Sequence, residues 1–354
     1  MKKIFLLTTA LLTLVSCSDD DGNVAPIEQI SEGAVFGTAE NPLNVGGPNQ
    51  PNQVYVDLSD ESTVEVPRNS WDFGFYAGND FRVILNSSMM MAAKQLETTD
   101  ISLPQEADNT VSVGPYIENN FNYVDSPDGS LNETVFGDIA TSEATAKVYL
   151  VNMGYKVPVT EPAAGAVNTT GDHRGWMKVK VWKDGNGYKI QYAALDAATH
   201  AEASIAKDSG YNFTFFNTTT GSTVAVEPQK DKWDIAFTTF TNLVNDAGED
   251  YAYFYSDFVI INSRAGVSAL KINGNAGVYE AFSLEYFNSG NFIFSNNQSV
   301  IGSEWRDVFT HTVDENIFFL VKDGSGNVYK LKFISMLGTD GKRGYPVFQY
   351  ALLQ

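Results

Sequence analysis

One ordered set of short sequence blocks occurs twice in the chain, and this duplication limits the folds that the chain can adopt. The block WDFGF at residues 71–75 returns as WDIAF at residues 233–237, 162 positions later. Six more pairs of blocks match in the same order: 55–57 with 215–217, 62–66 with 222–226, 81–87 with 257–263, 149–151 with 319–321, 178–181 with 330–333, and 191–193 with 349–351. Chance is a poor explanation for seven matches in one order. The sequence therefore predicts two related units, over residues 42–197 and 202–354.

Apolar and polar residues alternate with a period of two in both units, which is typical of half-buried β-strands. In residues 177–181, for example, one methionine and two valines face one way while two lysines face the other. The sequence DGNG at residues 184–187 then predicts a tight turn between the two strands of a hairpin. DGSG at residues 323–326 predicts the same kind of turn in the second unit.

Signals for strands outnumber signals for helices along the chain. Aromatic residues make up 13% of the sequence, and aromatic side chains favour strands. Helical patterns are limited to the alanine-rich residues 197–207 and to residues 142–147. We therefore predict an all-β fold of antiparallel sheets, built from two sequence-related units in tandem.

The first 17 residues, MKKIFLLTTALLTLVSC, are typical of a bacterial lipoprotein signal peptide. Lys2 and Lys3 form its positive start, and the apolar stretch that follows is too short to span a bilayer as a stable helix. The sequence LVSC ending at Cys17 resembles a lipobox, in which the cysteine becomes the lipid attachment site and the new N-terminus. An ordinary secretory signal is the alternative, but Cys17 is the single cysteine of the chain.

Residues 18–41 are rich in Asp, Glu, Gly, Asn and Pro, which predicts a flexible acidic leash. The acidic run directly behind Cys17 resembles the export signal that sends Bacteroidetes lipoproteins to the outer face of the outer membrane. No later segment approaches the roughly 18 uninterrupted apolar residues of a membrane span. We therefore expect an outer-membrane protein that faces the extracellular side and is attached by its lipid anchor only.

Charge and composition argue against several classes of function. With 23 basic and 43 acidic residues the net charge is -20, and binding of nucleic acid needs a basic face instead. A single cysteine excludes disulfides within the chain and a cysteine-based zinc site. Asp72 and Asp234 recur beside tryptophans, but an aspartate that bonds turn amides next to a buried tryptophan is the favoured interpretation. No Gly-x-Ser-x-Gly elbow occurs, and we expect that the protein is not an enzyme.

The second unit carries the residues that point to a family. KWDIAF at residues 232–237, followed by INSRAGVSA at residues 261–269, resembles the HmuY family of haem-binding lipoproteins of the Bacteroidetes surface. The lead-in at residues 206–213 and the closing VFQYA at residues 347–351 fit the same pattern. The resemblance is best over residues 202–354 and fainter in the first unit. It implies an all-β fold and haem capture at the cell surface, with transfer to a TonB-dependent outer-membrane transporter.

The resemblance also implies a pair of axial iron ligands, His or Met, presented from loops on one side of the domain. His311 and Met336 are the candidate iron ligands of the second unit. Met89, Met91 and His173 are the candidates of the first unit. Each has an ordinary alternative, because Met commonly fills cores and a His in a polar loop is commonly solvated.

Three further residues are candidates for contacts with haem. Arg264, in the turn NSRAG, can pair with a carboxylate of the protein or with a haem propionate. Tyr253 and Tyr255 lie near a 14-residue insertion that distinguishes the second unit from the first. They alternate along the chain, so they belong either to an extended hairpin or to one wall of a ligand cleft.

Two hypotheses of function follow from these observations. The first is a cell-surface lipoprotein that binds haem as its cofactor-like cargo and passes it to an outer-membrane uptake system for iron acquisition. The second is a non-enzymatic surface adhesion or glycan-binding β-module without haem, which would use exposed aromatic residues near the insertion to stack on sugars or on a partner.

Overall fold

The computed structural model describes residues 30–246 and 248–354. The lipoprotein signal, Cys17 and the start of the leash lie outside these ranges. Residues Ser31–Gln354 form one compact unit. Within the described ranges, no helix is both long enough and apolar enough to cross a membrane.

Antiparallel strands form most of the regular structure, which confirms the predicted all-β class. The strands are β1 (Val35–Phe36), β2 (Asn52–Asp57), β3 (Ser62–Pro67), β4 (Phe73–Tyr76), β5 (Val83–Leu85), β6 (Ala92–Gln95), β7 (Val148–Asn152), β8 (Trp176–Asp184), β9 (Gly187–Ala193), β10 (Ala201–Ile205), β11 (Phe213–Asn217), β12 (Ser222–Val224), β13 (Ile235–Asp246), β14 (Glu249–Ile261), β15 (Ser268–Asn273), β16 (Arg306–Asp307), β17 (Thr312–Val313), β18 (Ile317–Lys322), β19 (Val328–Leu337) and β20 (Arg343–Leu352). The two α-helices of the described ranges are α1 (Ala276–Ala281) and α2 (Leu284–Ser289).

Pairs of sheets pack face to face to form two lobes. Lobe A contains β1–β3 and β13–β20, and its sheets have the strand orders β14-β13-β2-β3 and β1-β20-β19-β18-β15. Lobe B contains β4–β12, with the strand orders β12-β11-β4-β5 and β10-β9-β8-β7-β6. The apolar faces of the paired sheets enclose the core of each lobe, with Phe237 and Phe348 central in lobe A and Phe73 and Tyr188 in lobe B.

The lobes differ from the two sequence units because the units exchange their first hairpins. β2 of the first unit pairs with β13 of the second, with Tyr55 opposite Ala236. β11 of the second unit pairs with β4 of the first, with Phe215 opposite Gly74. β10 of the second unit follows the same exchange, since it pairs with β9 of the first. Each lobe therefore contains strands from both units. The leash predicted over residues 18–41 is wrong at its end, because Val35–Phe36 form β1, which pairs with β20, and Phe36 is 1% exposed in the core of lobe A.

An aspartate fastens each exchanged hairpin to the other unit. The Leu58 N–H donates to Asp234 Oδ2 over 2.8 Å, and the Thr218 N–H donates to Asp72 Oδ2 over 2.8 Å. These two bonds occupy equivalent positions in the repeat. The interpretation that each aspartate bonds turn amides beside a buried tryptophan is confirmed, and the amide comes from the opposite unit.

The two equivalent aspartates have different electrostatic surroundings. Arg174 Nη2 lies 2.5 Å from Asp72 Oδ1, so this carboxylate has a counter-ion. Asp234 has no basic partner among the described residues, and it lies near Asp57 and Asp323. Burial first, and then these two acids, raise the pKa of Asp234 to about 7.

Local sequence signals predicted the hairpin turns well and the helices poorly. The turn between β8 and β9 pairs Asp184 with Gly187, and Gly185 has the positive φ of 58° that suits the first position of a type II′ turn. The helix predicted over residues 197–207 is wrong, because this segment contributes β10 to the edge of a sheet. Backbone pairing with β9 and burial of a terminal isoleucine outweigh the helix propensity of its alanines.

The Asp234→Asn variant tests the raised pKa while it keeps an oxygen that can accept the Leu58 N–H. A carboxyl whose folded pKa is raised contributes stability that is fully present below its unfolded pKa and is lost as the pH rises through about 7. We therefore expect the variant to gain stability relative to the wild type by roughly 1 to 4 kcal/mol from about pH 5 to pH 8. Urea denaturation at several pH values measures this difference.

Asp72→Asn is the matched control, because Asp72 occupies the equivalent position but faces Arg174. Its replacement leaves a largely buried guanidinium without a counter-ion, so we expect a loss of about 3–5 kcal/mol throughout that pH range. A stability difference for Asp234→Asn that stays constant with pH would contradict the assignment.

Candidate functional site

A cleft lies where the two lobes meet, and aromatic side chains of both units, each only 5–6% exposed, pack beneath it as its floor. The rings of Tyr55 and Trp233 meet edge to face with centroids 5.0 Å apart, and those of Trp71 and Phe215 meet in the same way at 4.7 Å. The cleft has a volume of about 120 Å³ and is open to solvent. It is smaller than the pockets of about 300–1,000 Å³ that usually enclose small molecules, so it can take an edge or a substituent of a larger ligand.

One wall of the cleft comes from the second unit and is held by a hydrogen-bonded framework. Asn212 Nδ2 donates to Asn262 Oδ1 over 2.9 Å, and Asn262 Nδ2 donates to the carbonyl of Trp233 over 2.9 Å. Glu227 Oε1 accepts the backbone N–H of Asn212 over 2.7 Å. Arg264 follows directly in the short 3₁₀ turn that Asn262 caps. The framework therefore places Glu227, Trp233 and Arg264 on the same wall.

The charged groups of the cleft are partly or fully withdrawn from water. Burial raises the pKa of Glu227 to about 7, and burial raises the pKa of Asp125 on the rim to about 6. Burial lowers the pKa of Arg264, while Tyr76 and Asp128 act in the opposite direction. Asp128 is therefore a carboxylate of the protein that acts on this guanidinium, and the two interpretations of Arg264, as the partner of a protein carboxylate or of a haem propionate, both remain predictions.

The two tryptophans of the floor are equivalent in the repeat, but their indole N–H groups are not. Trp71 Nε1 donates to Gln53 Oε1 over 2.9 Å. Phe213 occupies the position equivalent to Gln53 and offers no acceptor. Trp233 Nε1 is buried and has no hydrogen-bond partner among the described residues. This buried indole N–H is therefore a difference between the two units.

Two of the residues predicted from the sequence line this cleft. Arg264 lies on the wall of the second unit, and Met91 contributes from lobe B. The side chain of Met91 is 1% exposed and belongs mainly to the core of that lobe. The structure thus brings one candidate haem contact and one candidate iron ligand to the same space.

The other two candidate methionines lie in the cores. Met336 is 1% exposed within lobe A, and Met89 is 1% exposed within lobe B, where its sulfur lies 3.4 Å from Arg68 Nη1. A 3₁₀ turn, Ser87–Met89, is followed by Met90 with a positive φ of 61°, and this turn directs Met89 and Met91 into the same core.

The two candidate histidines lie outside the cleft lining that the structure describes. His173 is exposed, with Nε2 2.8 Å from Asn152 Oδ1 and with Nδ1 accepting the Gly175 N–H over 3.2 Å. Both of its ring nitrogens are therefore engaged, and burial lowers its pKa. His311 directly precedes β17 with a positive φ of 58°, and its ring packs against Gly165. As iron ligands, both residues remain predictions.

Tyr253 and Tyr255 lie on β14, in the long hairpin that β13 and β14 form, so the extended-hairpin alternative is the one observed. Their rings meet edge to face at 5.1 Å, and Tyr253 is 38% exposed. Neither belongs to the described lining of the cleft. In the described part of the chain, no group of three or more His, Cys, Asp or Glu side chains could hold a metal ion.

Glu227, Asp125 and Trp233 are site residues that sequence reasoning did not single out as ligand contacts. A usable signal was present in the repeat, because Glu227 stands where the first unit has Pro67 and Phe213 stands where it has Gln53. Part of the cleft wall is thus built at positions where the two units differ.

Asp125→Ala tests how the rim of the cleft is held. Asp125 accepts the backbone N–H groups of Leu85 over 2.6 Å and of Val135 over 2.8 Å. We expect the variant to lose about 2–4 kcal/mol of stability, since two donors are left unsatisfied, and to show faster hydrogen exchange at these two amides. Asp138→Ala is the control, because the Asp138 side chain is 91% exposed and its surface ion pair should contribute less than about 1 kcal/mol. Unchanged exchange at both amides would contradict this role.

Comparison with known families gives two matches to the family model described as HmuY protein, over residues 49–206 and over residues 209–350. Together these matches cover most of the chain, and they confirm the resemblance that the sequence motifs indicated. No curated protein and no solved structure matches the chain. With two successive copies of the family unit and an all-β architecture, the chain belongs to the HmuY family.

Proposed function

We propose that the protein is an outer-membrane lipoprotein of the cell surface that binds haem in the cleft between its lobes. We further propose that it passes the haem to an outer-membrane uptake system, with a TonB-dependent transporter as the partner. Membership of the HmuY family supports this proposal, because the family is a surface-associated family of haem binding and uptake.

The observation that carries the proposal is the guanidinium of Arg264, which is half-buried on the cleft wall, forms no salt bridge with the described residues and suits a propionate. The aromatic floor beneath it is apolar but only 5–6% exposed, so the cleft suits one edge of the macrocycle. Of the conventional iron ligands, the described lining contains only Met91, so the residues fit a propionate better than they fit the iron.

The chain's own groups divide the work of binding. Tyr55, Trp71, Phe215 and Trp233 make the base of the cleft apolar, although each is only 5–6% exposed. Arg264 holds a carboxylate by charge-assisted hydrogen bonds. Haem itself is cargo in this scheme, and the protein has no chemical step to perform on it.

Haemin titration of the mature chain, which begins after Cys17 and keeps the whole compact unit, tests the proposal. We expect a saturable, red-shifted Soret band. Arg264→Ala should weaken binding by roughly 10- to 100-fold, because a charge-assisted hydrogen bond contributes about 1.5–3 kcal/mol. Lys271→Ala is the matched control, since Lys271 is an exposed cation that pairs with Glu304 at the surface. A flat titration up to micromolar haemin would refute haem binding.

The same titration locates the axial ligands, which remain predictions. The ferrous spectrum distinguishes Met from His ligation. Conservative replacement then identifies the residue, and the positions to replace are Met89, Met91, His173, His311 and Met336.

Cys17→Ala tests the lipid anchor. We expect the wild-type chain to incorporate labelled fatty acid and to partition with membranes, and we expect the variant to do neither. Ser18→Ala is the control, because it changes the neighbouring residue and keeps the thiol. Labelling of the Cys17→Ala variant would show that the lipid is attached elsewhere or that the cysteine is coincidental.

An exposed aromatic group supports the second candidate, a surface adhesion or glycan-binding module without haem. Tyr116 is 77% exposed and meets Tyr251 edge to face at 5.9 Å, close to the partly exposed Tyr253. Aromatic rings of this kind stack on sugars or on protein partners. A flat haemin titration would favour this candidate.

A further inference from the structure

We propose that the helical cover of lobe A, which comprises residues 276–294 with α1 and α2, docks on the lipid surface of the membrane to which the chain is anchored. This inference rests on the lipid anchor of the proposed function, and it adds the face of the protein that meets the membrane. Exposed apolar side chains, a stretch without charge and the place where the chain enters the fold all support it.

The inner side of the helical cover is fixed to the outer face of the five-stranded sheet of lobe A. Tyr279 and Phe282 pack on Phe318 and Leu320 of β18, and the rings of Phe282 and Phe318 meet edge to face at 5.5 Å. Lys330 Nζ of β19 donates to the carbonyls of Tyr279 over 2.8 Å and of Phe282 over 3.0 Å. The cover is therefore a firm part of the lobe, and its other side faces away from the sheet.

Apolar side chains are exposed on that other side. Ile293 is 76% exposed, Tyr286 is 58% exposed and Val278 is 45% exposed. Below them, the ring centroids of Tyr286 and Phe292 lie 6.0 Å apart, and Phe287 stacks on Phe292 at 5.4 Å. Exposed apolar side chains that stand together on an aromatic layer mark an interaction surface.

The charge of the helical cover indicates which surface it suits. Residues 286–294, YFNSGNFIF, contain no Asp, Glu, Lys or Arg, in a chain whose net charge is -20. At the margin, Lys332 pairs with Glu280 over 2.9 Å, and Glu285 is exposed in α2, so no basic excess is offered to anionic lipid. Tyrosine and other apolar side chains of this kind lie at the boundary between headgroups and acyl chains. The expected lipid therefore has a headgroup without net charge.

The chain enters the compact unit beside the helical cover. The Leu352 N–H of β20 donates to the carbonyl of Glu32 over 3.0 Å. The next residue, Leu353, packs in the same apolar cluster as Phe282. The N-terminal end of the compact unit and the cover thus lie at the same end of the sheet.

The predicted anchor brings the membrane to this end. Residues 18–30 separate Cys17 from Ser31, where the compact unit begins, and a chain of this length spans at most about 50 Å. Attachment through Cys17 makes docking an intramolecular event with a high effective concentration of lipid. A small apolar surface is therefore sufficient, although it would bind a membrane only weakly by itself.

Docking through the helical cover leaves the cleft accessible, because the two lie on opposite sides of lobe A. In β18, Leu320 faces the cover and Val321 faces the core of the lobe. In β13, Ala236 faces the floor of the cleft and Phe237 faces the core. Two packed sheets therefore separate the membrane surface from the cleft.

Phe309 provides a control at the other end of the lobe. It is 92% exposed and lies two residues before His311, whose ring packs against Gly165. The Gly165 N–H donates to the carbonyl of Gly341, next to the start of β20 (Arg343–Leu352), and a strand of ten residues is roughly 30 Å long. Scattered exposed rings of this kind are ordinary on protein surfaces, so Phe309 should stay in water.

The lipidated full-length protein, reconstituted in phosphatidylcholine vesicles, tests the docking. Cys17 is the single cysteine of the chain, and its sulfur carries the lipid, so Ile293→Cys and Phe309→Cys each introduce one free thiol for a fluorescent NBD dye. We expect the dye at position 293 to emit at shorter wavelength and to be quenched by doxyl-labelled lipid. The dye at position 309 should remain accessible to dithionite in water.

Sedimentation of the soluble chain, which begins after Cys17, gives a second measurement. Ile293→Ser should lower the fraction that sediments with phosphatidylcholine vesicles by about threefold or more, because an exposed isoleucine no longer leaves water. Phe309→Ser should leave this fraction unchanged. Anionic lipid in the vesicles should weaken sedimentation, because the chain is strongly acidic. Circular dichroism checks that both variants keep the fold.

Other results would overturn the inference. A dye at position 293 that is as accessible to water as the dye at position 309 would do so, and haemin binding and fatty-acid labelling would then leave the proposed function intact. A dimer of the soluble chain that Ile293→Ser dissociates would assign the helical cover to a second copy of the chain instead. If Cys17 carries no lipid, the anchor of the proposed function fails, and the sedimentation of the soluble chain decides the docking by itself.

Discussion

The exchange of the first hairpins between the two units is the constraint on which the rest of the structure depends. Two hydrogen bonds fasten it, from the Leu58 N–H to Asp234 and from the Thr218 N–H to Asp72. One sheet joins β2 and β3 of the first unit to β13 and β14 of the second, and another joins β11 and β12 of the second unit to β4 and β5 of the first. These two sheets meet through their outer faces. The cleft forms along this meeting line, and a single unit would supply only half of its floor. The candidate site is thus a consequence of the duplication as well as of the fold of each unit.

The repeat keeps the interactions that hold the fold and varies the groups that face the cleft. Asn86 and Asn262, at equivalent positions, each donate to the carbonyl of the tryptophan that precedes them in their own unit. The wall position that is Arg264 in the second unit, by contrast, is Ser88 in the first. Asp72 and Asp234 show the same contrast. Both accept an amide N–H from the hairpin of the other unit, and only Asp72 has an arginine partner.

The strands, their turns and the bonds from Asp72 and Asp234 to turn amides could be predicted from the sequence. The exchange of hairpins between the two units could not. Repeated blocks show which strands are equivalent, and equivalent hairpins fit equally well onto either unit, so the choice of partner leaves no local signal. The lysines of residues 177–181 show a similar limit. Alternation placed them on a solvent face, yet Lys178 is 0% exposed because a loop covers it, and its Nζ donates to the carbonyls of Leu103 and Ala197. A covering segment that is distant in sequence cannot be read from the strand that it covers.

The candidate site was harder to predict than the fold because His and Met, the expected iron ligands, also have structural roles. His and Met can be found in a sequence by residue type alone. In the structure, however, Met336 and Met89 pack in the cores, and both ring nitrogens of His173 form hydrogen bonds with nearby groups. The stronger signal was the difference between the two units of the repeat. Where equivalent positions hold different residues, as Arg264 and Ser88 do, the residue is not needed for the fold that both units share. This difference also bears on stoichiometry. Arg264 stands on the cleft wall of the second unit alone, and the equivalent residue of the first unit is Ser88, so the proposed function predicts one haem per chain although the chain has two family units.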